Sequence, residues 1–159
     1  MPICKPIDFR HRPEFNLAER GRLLGIDVGT RRIGIAVSDE AWRVAVALLV
    51  ITRHDFASFA LMAQAIIKLA EEKNAHGLVI GLPLNMDGSH GAACDRVRDF
   101  THALLKVRDF PVLLQDERLS TKAVARFRGE GANKKTGDET IDAEAAAWIL
   151  QTALDGMRR

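Results

Sequence analysis

The sequence contains no tyrosine, two tryptophans and seven phenylalanines, so aromatic residues make up only 6% of its 159 positions. A surface built on many stacking rings is therefore not expected, and a nucleic acid would be read mainly through its backbone and shape. Cysteine is equally scarce. Cys4 and Cys94 stand far apart with no metal-ligand spacing around either, which argues against a disulfide scaffold and suits two free thiols in a reducing cytoplasm. The five histidines form no HxxxH pair, which weighs against a zinc hydrolase. No GxSxG or Walker A pattern occurs, so neither a serine hydrolase elbow nor a P-loop is present. No run approaches the ~18 apolar residues of a membrane span. The opening MPICKPIDFRHRPEF has no apolar core fit for a secretory signal. A cytoplasmic location and no membrane partner are expected. Net charge is only +2, so any nucleic-acid partner must be argued from where the charges lie and not from their sum.

What is present is an ordinary globular composition, 47% hydrophobic and 28% charged, of a length that suits one domain. Residues 1–20 are polar, hold three prolines and interleave opposite charges; they read as a flexible arm before a domain at 21–159. RLLGIDV, IGIAVSD and WRVAVALLVI then read as three strands with short links, an antiparallel meander. A helix follows, with Asp55 as N-cap and Phe56, Phe59, Ala60, Ala63, Ile66, Ile67 and Ala70 on its inner face. HGLVIGLP is a buried strand that leads through the loop LNMDGSHG to a helix over 91–107. PVLLQDE is a further strand. A short helix after Ser120, the Gly-rich loop GEGANKKTGDET and a last helix bearing Ala145, Ala146, Ile149, Leu150 and Ala153 complete the chain. Strand–helix alternation implies right-handed parallel crossovers. The expected fold is α/β, a mixed five-stranded sheet flanked by helices on both faces, in the RNase H-like order.

Three carboxylates occupy positions that pattern alone makes conspicuous. Asp27 interrupts the apolar run LLGIDVG, and an unpaired buried carboxylate is costly enough to demand a cation or a turn to cap. Glu117 repeats this at the end of PVLLQDE, with a salt bridge to Arg118 or Arg126 as the plainer alternative. Asp116 and Glu117 should face opposite ways unless the strand has already ended. Asp142 opens the last helix, where the helix dipole favours acids in any case. Glu144 lies roughly 200° further round that helix and should face away. Together, two neighbouring strands and a docked helix can bring Asp27, Glu117 and Asp142 to one sheet edge. Hard oxygen ligands of this kind suit Mg²⁺ or Mn²⁺. Two such ions about 4 Å apart activate water and stabilise the leaving oxygen in phosphodiester hydrolysis.

The segments LLGIDVGTRRIGIAVSD, GLPLNMDGS, DERLST and IDAEAAAWILQ occur in that order and resemble the bacterial YqgF (RuvX) family. Its members are described as Holliday-junction-resolvase-like proteins and nucleases of pre-16S rRNA. The resemblance runs from about Arg22 to Leu154. It implies an RNase H-like fold, a carboxylate site for divalent metal, and maturation of the 5′ end of 16S rRNA, with ribosomal particles as possible partners. It places the motif acids at Asp27, Glu117 and Asp142, and we expect Asp27 to be shared between two ions with Glu117 and Asp142 completing one shell each. Glu144 stands where the family often has an apolar residue. The arm before Arg22 lies outside the match.

Basic residues cluster around the same segments. Arg31 and Arg32 follow Asp27, and Arg118, Lys122, Arg126, Arg128, Lys134 and Lys135 follow Glu117 with only Glu130 opposing them. They can hold phosphates while the acids hold metal, or form a solvated helix face. Trp42, Trp148 and most phenylalanines are expected in the core. Three rival readings stand beside the rRNA nuclease. One is a Holliday-junction-resolvase-like DNA endonuclease, which should act as a dimer. Another is a non-catalytic nucleic-acid-binding protein of the same fold. The third, an ATP-binding protein of the actin and sugar-kinase type, shares the GIDVGT turn but needs two domains and a second phosphate turn.

Overall fold

The computed structural model describes residues 6–12, 15, 20–118 and 137–158. Five strands form one sheet: β1 (Arg22–Val28), β2 (Arg32–Ser38), β3 (Ala45–Thr52), β4 (Ala75–Leu82) and β5 (Val112–Asp116), in the order β3-β2-β1-β4-β5. β1, β2 and β3 pair antiparallel, as their short links require, while β4 and β5 join parallel to β1 through helical crossovers. The mixed five-stranded sheet is the expected one. The segment after Ser120, read as a short helix, and the loop 129–136 lie outside the described residues. Among the described residues no helix is long and apolar enough to cross a membrane.

Alternation along each strand sorts side chains to two faces. Leu24, Ile26, Ile33, Ile35, Leu78, Ile80 and Leu114 meet helix α2 (Phe59–Glu72) and helix α3 (Ala92–Val107) in one core. α2 turns Met62, Ala63, Ile66, Ile67 and Ala70 inward. Ala63, Ile66, Ile67 and Ala70 face inward as expected, whereas Phe59 and Ala60 are exposed and Phe56 packs against the same core from just before the helix. The N-cap is Ser58, whose Oγ accepts from the Leu61 amide, and not Asp55, which belongs to the short 3-10 turn Arg53–Asp55. A serine placed directly before the apolar repeat caps better than an aspartate committed to the preceding turn.

Leu23, Ala36, Val79 and Leu113 face the other way, towards α4 (Gly137–Met157), which supplies Ala146, Ile149, Leu150, Ala153 and Leu154. α4 begins at Gly137, so Gly137–Thr140 continue the helix where a loop is expected. Asp142 is therefore not at the helix mouth, and the dipole account of it lapses. Within the segment expected to be a loose arm, α1 (Pro6–Arg10) carries Phe9, and Phe9 and Phe15 are both buried. Phe15 packs edge-on against Trp42 with ring centroids 4.9 Å apart, and Arg10 Nη1 donates to the Met157 carbonyl at 3.0 Å. Two phenylalanines in a polar stretch suffice to dock its described residues, because each buries a large apolar area.

Candidate active site

β1 ends its buried run with Leu23, Leu24, Gly25 and Ile26, and the next position on the α4 side is Asp27. Its register partner on β2 is Gly34. A Cβ at Gly34 would collide with the backbone carbonyl of Asp142, so glycine there is what lets α4 lie directly on the strand. Gly25 serves the same approach one pair deeper, where a Cβ would come within 2.7 Å of Leu150 Cβ. On β4 the corresponding residue is Gly81, opposite Gln115. A Cβ at Gly81 would meet the Glu117 carboxylate and, at 2.7 Å, Ile149 Cδ1. β5 has ended at Asp116, and the Glu117 amide donates to the Leu82 carbonyl at 3.2 Å, which fixes the turn that aims Glu117 over the sheet.

The structure thus draws Asp27, Glu117 and Asp142 from three elements to one end of the α4 face. Burial raises the Asp27 carboxyl to about 6, and the charge of Asp142 pushes the same way. Burial likewise raises Glu117 to about 7, helped by Asp27 and then Asp116. Mutual repulsion of this kind in a half-buried group marks a functional centre more often than a structural one. Asp142 is ion-paired with Arg32, Oδ2 to Nε 3.0 Å. Among the described residues no three carboxylate, imidazole or thiolate groups stand in an arrangement that could hold an ion as they are. The donor chemistry nevertheless fits a hard divalent cation, since positive charge beside the two acids offsets both the burial and the repulsion that raise them.

Neighbouring residues take definite roles. Asp116 grips Arg118, with Oδ2 2.8 Å from Nε and 2.7 Å from Nη2; burial pushes its carboxyl up, but these bonds to Arg118 hold it below the usual range. Arg118 thereby answers Asp116 and not Glu117. Glu144 is exposed, as its helical angle predicts. Arg31 is exposed in the β1–β2 turn, while Arg32 is engaged by Asp142. Lys122, Arg126, Arg128, Lys134 and Lys135 lie outside the described residues. The loop Pro83–Gly91 is pinned by bonds between Asn85, Asp87 and Ser89 and lies against Arg118, whose Nη1 is 3.4 Å from a Cβ built on Gly88. Trp42 is buried as expected, but Trp148 is 40% exposed. Two features escape sequence reasoning, the strand glycines that admit α4 and the Arg32–Asp142 pair. Isolated glycines inside strands are the available signal for the first.

Comparison with known proteins bears on this geometry. A family model described as Holliday junction resolvase (RuvX) matches residues 21–156. A Rhodospirillum rubrum protein named "Putative pre-16S rRNA nuclease" is 45% identical over 162 residues, covering 100% of this chain and 96% of the relative. A Paramagnetospirillum magneticum protein of the same name is 39% identical over 156 residues, covering 98% and 96%. Among solved structures, Thermus thermophilus RuvC in complex with a Holliday junction substrate superposes with a TM-score of 0.54 at 16% identity, over 84% of this chain and 93% of that one. A second T. thermophilus RuvC structure gives 0.52 at 15% identity, over 85% and 97%. The shared architecture is the RNase H-like fold.

Proposed function

Because the chain belongs to the RuvX (Holliday junction resolvase) family, we propose that it is a nuclease, a hydrolase of phosphodiester bonds that requires a divalent metal and matures the 5′ end of 16S rRNA from its precursor. The observation that carries this reading is the meeting of Asp27, Glu117 and Asp142 at one end of the α4 face, two of them with raised carboxyls. Asp27, Glu117 and Asp142 would hold Mg²⁺ or Mn²⁺, as two ions. Bound there, the cations supply activation of water and stabilisation of the leaving oxygen. The chain's own part is positional. Gly25, Gly34 and Gly81 let α4 and Glu117 close over the sheet, and Arg32 orients Asp142. Arg31, Arg32 and Arg118, with Lys122, Arg126, Lys134 and Lys135, are assigned to the phosphates of a structured RNA. Residues 21–159 form the nuclease domain in this reading, which is set in the cytoplasm.

A four-way DNA junction is the second substrate to test, since the matching family model is described as a Holliday junction resolvase. The experiment is cleavage of a structured RNA copied from a ribosomal precursor end by wild type and Asp27→Asn, in Mn²⁺, Mg²⁺ or EDTA, with the junction in parallel. Cleavage of RNA that needs metal and falls by on the order of a thousandfold in Asp27→Asn is expected. Preference for the junction would move the substrate to branched DNA. Tight binding without cleavage by wild type would leave a binding protein and overturn the nuclease.

A further inference from the structure

A groove of about 530 Å³ runs along the open side of β5, bounded by Trp148, Ile149 and Thr152 of α4, by Gln115, Asp116 and Arg118, and by Met86 of the Pro83–Gly91 loop. It is continuous with the acid centre: Ile149 and the Glu117 carboxylate converge on the same glycine, Gly81. Two large apolar side chains of the groove's lining stand open to solvent, Met86 at 65% exposed and Trp148 at 40%. Among the described residues nothing accounts for an open indole here. The neighbouring turns of α4 bury Ile149, Leu150 and Ala153, so Trp148 stands on the helix flank that the core does not use.

We infer that Trp148 is a stacking platform for one unpaired nucleobase of the substrate, next to the bond that is cut. The inference rests on the nucleic-acid reading of the site. The occupant follows from the lining. Trp148, Met86 and Ile149 offer apolar faces to a flat ring, while Gln115 and Thr152, whose donors already go to the carbonyls of Asp116 and Trp148, offer acceptor oxygens to its edge. Asp116 and Arg118, paired with each other, are the charged groups of the lining, so the groove is near neutral where it would hold a base, while Arg118 remains available to a flanking phosphate. A duplex keeps its bases stacked and gives the indole nothing to meet. Unpaired nucleotides should therefore be preferred at this position in a protein otherwise poor in aromatic residues.

The test uses the full chain carrying Asp27→Asn, so that binding is read without cleavage, with and without Trp148→Ala or Trp148→Phe. Anisotropy is measured with a short single-stranded RNA and with an RNA duplex of equal length. Trp148→Ala should weaken single-strand binding by roughly 5- to 100-fold, the range for losing one base–aromatic stack. It should leave duplex binding unchanged, and Trp148→Phe should stay within about threefold of the parent. Indole emission should be quenched by the single strand in the parent and not in Trp148→Ala, where buried Trp42 remains. Unchanged single-strand affinity, or equal loss for both RNAs, would overturn the platform. In cleaving protein, Trp148→Ala should raise KM and spare kcat. Failure of wild type to cleave anything contradicts the nuclease, whereas cleavage indifferent to Trp148 contradicts the platform alone.

Discussion

On the sheet face covered by α2 and α3, the inward strand positions Leu24, Ile26, Ile33, Ile35, Ile80 and Leu114 are all aliphatic and fully or nearly buried. On the face covered by α4, the same strands present Gly25, Gly34 and Gly81, then Asp27 and, just past β5, Glu117. The first face fills space, as a core must. The second gives up side chains so that a helix backbone and carboxylates can come close, and it accepts repelling charges where aliphatic groups would pack better. In the proposed reading, that loss of packing is what an α4 face organised around chemistry requires.

A paired substitution sharpens the contrast. Phe100, wholly buried beneath α2 with Phe59 edge-on at 5.7 Å, should lose about 4 kcal/mol of stability as Phe100→Ala. Its kcat should stay within about twofold of wild type in the fraction that folds. Gly34→Ala should lose about 3 kcal/mol by overpacking against α4. It should also lower kcat by on the order of a hundredfold, because Asp142 is displaced. Urea denaturation and turnover on the same samples check both. A Gly34→Ala protein that keeps full kcat would break the distinction between the faces.

The acids themselves supply the next prediction. A carboxyl raised in the folded state binds protons that the unfolded chain has already released, so its contribution to stability falls as pH rises. Asp27 at about 6 and Glu117 at about 7 place the fall between about pH 4 and pH 7. Each of the two acids contributes about 3 kcal/mol to it in metal-free protein. Asp39, Asp87 and Asp116 are lowered and act below that window. Chemical denaturation at stepped pH in EDTA reads the slope. Glu117→Gln should flatten its upper half.

Much of this architecture is legible in the sequence because it rests on local periodicity. RLLGIDV and PVLLQDE announce buried strands, and the acids that interrupt them stand out against that background. Asp142 is harder, since an acid near a helix start is commonplace, and it stands out only in company with Asp27 and Glu117 and through the family resemblance. The helix start itself was hidden by Gly137 and the polar residues after it. The strand glycines could be seen but not interpreted, because what approaches them arrives from α4, more than a hundred residues away for Gly25 and Gly34. Trp148 was misplaced for a related reason: its neighbours Ile149 and Leu150 are core residues, and a one-residue step round a helix decides between core and solvent. Phe9 and Phe15 agree with the expectation that most phenylalanines are core residues, but the polar, proline-bearing stretch around them hides that they bury part of it.

The most direct test of the central claim is the melting temperature of wild type and Asp27→Asn near pH 8, with and without Mn²⁺. A cation held by Asp27, Glu117 and Asp142 at about a hundred times its Kd adds about 2.7 kcal/mol. That is a rise of roughly 5–10 °C for a chain of this size. The account predicts that rise in wild type and little or none in Asp27→Asn, whose metal-free form should already melt higher than metal-free wild type because one repelling charge is gone. No rise in wild type, or the same rise in both proteins, would contradict a metal centre at these three acids.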